Sequence, residues 1–138
     1  MDNGNKVIYK DLSYVVVGAA YKTFKAIGYG MPEKFCQAVF AEELKKLGLK
    51  YQKEFYVTLN YEGKPLMRLF LDFLIEDKIV VEFKVVPKIG YIHIDQVMGY
   101  LKATNKKLAI LIYFTKEGVK YRRILNSYKM LPWFGFVY

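Results

Sequence analysis

Apolar positions recur at helical spacing in the first third of the chain and in near-continuous runs after it. Val16, Ala19, Ala20, Phe24 and Ile27 mark one side of a helix that starts at Asp11 or Ser13, with Ser13 as the expected cap. Gly28 and Gly30 end it, and Pro32 opens a second helix where its missing N–H costs nothing. Phe35, Val39, Phe40, Leu44 and Leu47 give that helix its inward stripe, and Lys45 and Lys46 suit its C-terminal dipole. Strand-like runs then span Tyr51 to Tyr61, Leu66 to Ile75 and Lys78 to Val86, with a turn at Glu62-Gly63-Lys64-Pro65 and a very short loop at Glu76-Asp77. A helix from His93 to Thr104, an apolar strand from Leu108 to Phe114 and a strand from Val119 to Leu125 follow. The aromatic tail NSYKMLPWFGFVY is expected to pack back on the domain. Helix, three strands, helix, strand, with one helix before and one strand after, predicts a single α/β domain over residues 1–138, a mixed central sheet flanked by helices.

Two of these strands carry charge where core residues belong. Asp72 interrupts FLDFLI, and Glu82 and Lys84 interrupt VVEFKVV. Burying charge is costly without a partner or a metal. Side chains alternate along a strand, so Glu82 and Lys84 share a face about 6.6 Å apart. Asp72 joins them only in one register. A two-residue turn pairs Asp72 with Val81 and turns it away from Glu82. A three-residue loop over Glu76, Asp77 and Lys78 pairs Ile75 with Ile79 and Asp72 with Glu82. We expect the three-residue loop or an equivalent bulge.

Two convergent carboxylates beside a lysine suit a hard divalent cation, which takes oxygen ligands and is held by one or two carboxylates beside a phosphate. Such a cation acidifies a water into a nucleophile, and a lysine stabilises charge developing on phosphate. The plainer reading of the same residues is a buried acid–lysine pair.

The formal charge of +9, from 22 basic and 13 acidic residues, favours an anionic partner such as nucleic acid. Lys102, Lys106, Lys107, Arg122 and Arg123 are candidate phosphate contacts, against a solvated basic face as the alternative. The lone Cys36 excludes an internal disulfide and reads as a small core residue. No run approaches the roughly 18 apolar residues of a membrane span. The opening MDNGNKVIYKD has no basic segment running into an apolar one, so the expected setting is cytoplasmic with no membrane partner.

Asp72, nine intervening residues and then Glu82-Phe83-Lys84 resembles the motif of the PD-(D/E)XK nucleases, with Leu71 where the name has proline. The element order is similar to that superfamily's restriction-endonuclease-like αβββαβ core. Gly30-Met31-Pro32-Glu33-Lys34-Phe35-Cys36 resembles the signature of its GxxExxY family, EDKIVVEFKVV its third-strand segment, and His93 to Lys102 its following helix. The resemblance spans residues 14 to 125. Cys36 stands where that family has tyrosine, and Phe24 where it often has histidine.

The resemblance implies Asp72 and Glu82 as ligands of Mg²⁺ or Mn²⁺, Lys84 as the catalytic lysine, and Glu33 as a further carboxylate near or on the metal. Glu33 is equally well read as an acid favoured by a helix N-terminus. Gln96 and Tyr100 match the QxxxY arrangement of RecB-like nucleases; four residues apart, they share a helix face. His93, the only histidine, reads as a cap or surface residue. The expected activity is metal-dependent hydrolysis of phosphodiesters in nucleic acid, DNA in the first place, with a homodimer implied by analogy. The rival readings are a non-catalytic nucleic-acid-binding module and a protein-interaction module that keep the fold.

Overall fold

The computed structural model describes residues 7–89 and 92–126, with the side chains of residues 92 and 93 excepted. The aromatic tail past Asn126 and the side chain of His93 therefore lie outside the described residues.

Two helices come first, α1 (Lys10–Ile27) and α2 (Glu33–Lys46), then strands β1 (Tyr51–Tyr61), β2 (Lys64–Ile75) and β3 (Ile79–Val85). Helix α3 (Ile92–Thr104) leads to β4 (Leu108–Thr115) and β5 (Gly118–Leu125). The five strands form one sheet in chain order. Neighbours are antiparallel except β3 and β4, which run parallel through the α3 crossover. This is the mixed α/β architecture expected, with the αβββαβ core extended by α1 and β5.

Alternation along the central strands divides the core into two layers. Phe73, Ile75, Ile79, Val81, Phe83, Ile110, Ile112 and Phe114 face α1 and α2. Leu74, Val80, Ala109, Leu111 and Tyr113 face α3, against Val97, Tyr100 and Leu101. β4 is buried along its whole length, which is why LAILIYF has no polar alternation. A chain of edge-on rings, Phe73 to Phe40 at 5.0 Å, Phe40 to Phe83 at 5.4 Å and Phe83 to Phe114 at 4.9 Å, locks β3 to β2, β4 and α2. Phe83 is the residue between Glu82 and Lys84, so this packing fixes both charged neighbours on the opposite face.

The helix details differ from expectation in two places. Helix α1 begins a turn earlier, after Tyr9, without a side-chain cap; Ser13 is buried inside the helix instead. The buried stripe of α2 is Cys36, Gln37, Phe40, Ala41 and Leu44, whereas Phe35 and Leu47 are exposed. Leu44 and Phe40 fix the helix rotation, and Cys36 rather than Phe35 is their i−4 continuation. Cys36 is fully buried, as expected of a small core residue.

The β2–β3 register takes the longer loop. Ile75 pairs with Ile79, Leu74 with Val80 and Phe73 with Val81. Glu76 and Asp77 both adopt left-handed backbone, and the Lys78 N–H bonds the Ile75 carbonyl at 2.9 Å, so a tight turn closes with Lys78 as the extra residue.

Candidate active site

The ladder between β2 and β3 stops at Phe73–Val81. One step further, where Asp72 stands opposite Glu82, side chains replace it. The Asp72 N–H donates to Glu82 Oε1 at 3.1 Å, and the Phe83 N–H donates to Asp72 Oδ2 at 2.7 Å. Each carboxylate thus accepts from the backbone of the partner strand or its own opposite number, and the two strands fork at this point. The β1–β2 ladder is interrupted at the same level: Lys53 pairs with Phe73 and Phe55 with Leu71, while Glu54 between them has a left-handed φ of 55°.

The environment of the fork is poor in water and rich in negative charge. Glu82 is only 3% exposed. Burial, and then the Asp72 charge, push its carboxyl up to about 8. Asp72 is also raised, by burial first, against the lowering effect of the Phe83 N–H. Lys84 Nζ lies 4.0 Å from Glu82 Oε2 and is the cation of the cluster.

Helices α2 and α3 close on the fork from the two sides of the sheet. Gln37, buried in α2, hydrogen-bonds Asp72 and reaches Glu33 Oε2 at 3.4 Å. The charge of Glu33 raises both Asp72 and Glu82. From α3, Tyr100 faces the carboxylates: its phenol is pushed up to about 12, by burial first and then by Glu82 and Asp72. It therefore stays a neutral hydroxyl. Gln96 Nε2 donates to Tyr100 Oη at 2.7 Å, the shared helix face expected of that spacing.

The structure brings Asp72, Glu82 and Lys84 together, with Glu33, Gln96 and Tyr100 around them. It does not gather all the basic candidates there. Lys106 pairs with Asp77 at 3.1 Å, at the hairpin end of the sheet, and Lys107 stands beside it. Lys102 is in the last turn of α3, two residues past Tyr100 and off its face. Arg123 lies on the α1 side, pairs with Ile110 and donates to the Ile8 carbonyl. Arg122 remains on the α3 face, in one row with Leu111 and Glu82.

Two contributors escaped the sequence reading. Gln37 is one; the signal was a polar residue four after Glu33 on the stripe that also holds Ala41 and Leu44. The other is a pocket of about 410 Å³ beyond the C-terminal ends of β3 and β4, lined by Lys88, Lys116 and Lys120 and by one acid, Glu117, which pairs with Lys120 at 3.7 Å. Lys120 is in one row with Tyr113 and Lys84, so the pocket adjoins the lysine of the fork. Ligands of open sheets with parallel strands gather at this end.

The donor set suits a hard cation. Asp72 and Glu82 each hold one oxygen on a backbone N–H, Gln37 also bonds Asp72, and a single lysine, near the second oxygen of Glu82, faces two acids. Among the described residues no three acidic, histidine or cysteine side chains converge tightly enough to hold a metal by themselves. The charge of Glu33 reaches both carboxylates, and its side chain accepts from Gln37. A pair of carboxylates, with water and phosphate as the remaining ligands, is the arrangement Mg²⁺ accepts.

A forked mixed sheet with an aspartate on the second core strand and Glu-x-Lys on the third defines a restriction-endonuclease-like domain. The chain belongs to the PD-(D/E)XK nuclease superfamily, whose family model matches residues 10–124. Members generally use divalent metal ions and act on nucleic acid, and membership suggests a nuclease. The crystal structure of SSO0001 is similar, with a TM-score of 0.55 at 19% identity over 84% of this chain. At that identity it shows the fold alone, and this chain spans 58% of that one. No curated protein matches the sequence. Among the described residues no helix is long and apolar enough to cross a membrane.

Proposed function

We propose that this protein is a divalent-metal-dependent nuclease hydrolysing phosphodiester bonds, with DNA as the first substrate to test. The observation that carries the reading is the crossed pair at the fork: Asp72 and Glu82 held by backbone N–H groups at 2.7 and 3.1 Å, with Lys84 beside them. Asp72 and Glu82 would hold the metal, Mg²⁺ or Mn²⁺. Bound there, the metal acidifies a water and draws charge from a phosphate oxygen.

The remaining work falls to the chain's own side chains. Lys84 projects from the same strand face as Glu82, where its ammonium meets charge that grows on phosphorus-bound oxygen in the transition state. Tyr100, kept neutral, offers a hydroxyl at the carboxylates, and Gln96 fixes its rotamer. Gln37 fixes Asp72 and ties it to Glu33. Lys88, Lys116 and Lys120 suit backbone phosphates beyond the scissile one, with Arg122 on the same face.

The test is cleavage of DNA and RNA in Mg²⁺ or Mn²⁺ by wild type, Asp72→Ala and Lys84→Ala. Loss of at least a hundredfold in both variants supports the assignment. Equal cleavage by all three proteins overturns it, and calorimetric titration with no metal uptake at Asp72 and Glu82 leaves the binding-module reading in its place.

A further inference from the structure

The β1–β2 hairpin is much longer than the strand it joins. β3 pairs with β2 only from Phe73 to Ile75, whereas the β1–β2 ladder continues to Tyr61–Lys64. Beyond Asp72 the hairpin is therefore a two-stranded arm rooted at the fork. One face of the arm, with Phe55, Val57 and Leu69, packs on the α3 layer. Among the described residues nothing packs on the other face. Tyr56 and Phe70 sit directly opposite each other on it, 48% and 57% exposed, with ring centroids 5.7 Å apart. The Arg68 guanidinium lies 4.9 Å over the Tyr56 ring.

Large apolar side chains on an open face of this kind mark an interaction site. We propose that Tyr56 and Phe70, with Arg68, form a stacking platform for unpaired nucleobases, which holds a single-stranded segment of the substrate on the arm beside the fork. The proposal rests on the nuclease reading for its substrate class. Three features favour nucleic acid over an apolar protein partner. The guanidinium over Tyr56 joins the rings to a positive charge that suits phosphate. The chain's net charge of +9 attracts a polyanion. Phe70 is two residues from Asp72 in one strand, about 7 Å along it, on the face turned away from α3, so a base on the platform belongs to a nucleotide that has passed round the arm from the carboxylates. The platform discriminates by access: a base within a duplex has both its faces stacked, whereas an unpaired base offers one to an aromatic ring.

The experiment is fluorescence anisotropy with a labelled single-stranded DNA oligonucleotide and with the same sequence as a duplex, in EDTA so that no cleavage competes. Wild type is expected to bind the single strand more tightly. Tyr56→Ala with Phe70→Ala should weaken single-strand binding at least tenfold and leave duplex binding within about twofold; Tyr56→Trp should retain the single-strand preference. Equal weakening for both substrates, or single-strand binding unchanged, overturns the platform. A concentration-dependent dimer that the double variant abolishes, with single-strand binding intact, also overturns it and assigns the face to a second copy. The two readings fail separately. Platform-dependent binding without cleavage in any metal removes the nuclease reading alone, and cleavage with single-strand binding indifferent to both rings removes the platform alone.

Discussion

Glu82→Gln is expected to stabilise the metal-free protein at neutral and alkaline pH while abolishing its metal site. Burial, and then Asp72, raise the Glu82 carboxyl from an ordinary 4.5 to about 8. The folded state therefore holds a proton that the unfolded chain releases above 4.5. For a carboxyl shifted in this direction, stability is fully present below the unfolded value and is lost as pH rises towards the folded one. Between about pH 5 and pH 8 the loss is roughly 3 kcal/mol. Glutamine keeps the oxygen that accepts the Asp72 N–H and carries no charge, so the variant lacks this slope. The assay is urea unfolding in EDTA from about pH 5 to pH 8, read as the difference between variant and wild type, which cancels the titration of shared groups. The curves should nearly coincide at the acid end and separate by about 3 kcal/mol at the alkaline end, with the variant more stable. Excess Mg²⁺ should close most of the gap by stabilising wild type alone. Parallel curves across the range would refute the claim that Glu82 is buried with too little positive charge.

Three further outcomes follow from packing and register. Phe83→Ala empties the centre of the ring chain between Phe40 and Phe114 and should cost about 3–5 kcal/mol in urea unfolding, taking activity with it near the melting temperature. Gln37→Leu keeps volume in α2 but removes the donor to Asp72; metal affinity by calorimetry should fall about 10- to 100-fold while the fold persists by circular dichroism. Deletion of Lys78 leaves a two-residue turn that still pairs Ile75 with Ile79, so metal uptake should survive it, whereas deletion of Ile79 keeps a three-residue loop, pairs Ile75 with Val80, turns Glu82 away from Asp72, and should abolish uptake; binding at wild-type strength in the second variant would show that the register does not set the site.

The register was legible because the chemistry constrained it. Asp72 and Glu82 come together only with three residues in the loop, and the tight turn with Lys78 left over supplies that count. Strand order was legible from apolar runs and their breakers, and the fully buried β4 from its unbroken LAILIYF. The rotation of α2 was not. Phe35 outweighs Cys36 and Gln37 on any hydrophobicity scale, yet tertiary packing turned the smaller residues inward, and Gln37 was hidden with them. The inner and outer halves of β2 also read alike, since LMRLF and LDFLI are both apolar; only the short β3 shows that residues before Leu71 have no neighbour to cover their outer face. The basic rim misled for a related reason. Lysine and arginine carry no periodic signal, so Lys106 and Arg123 could be placed only once the ends and faces of the sheet were known.

The fork explains why charge stands in these strands at all. Had the β2–β3 ladder continued, the N–H groups of Asp72 and Phe83 would have carbonyl partners and the two acids would need side-chain donors to be buried. Instead the strands separate at this level, and the carboxylates take the place of the missing acceptors. The backbone thus holds both acids in position, which is firmer than holding them through other mobile side chains. It also consumes only one oxygen of each. What the backbone cannot supply is charge: N–H dipoles and a single lysine at 4.0 Å oppose two acids, with the charge of Glu33 adding to theirs. The site completes itself with a proton at Glu82 or with a cation between the two acids. A structural ion pair would have been built with balanced charges. In the proposed function, a metal ion that arrives with an anionic ligand would supply the positive charge this pair lacks.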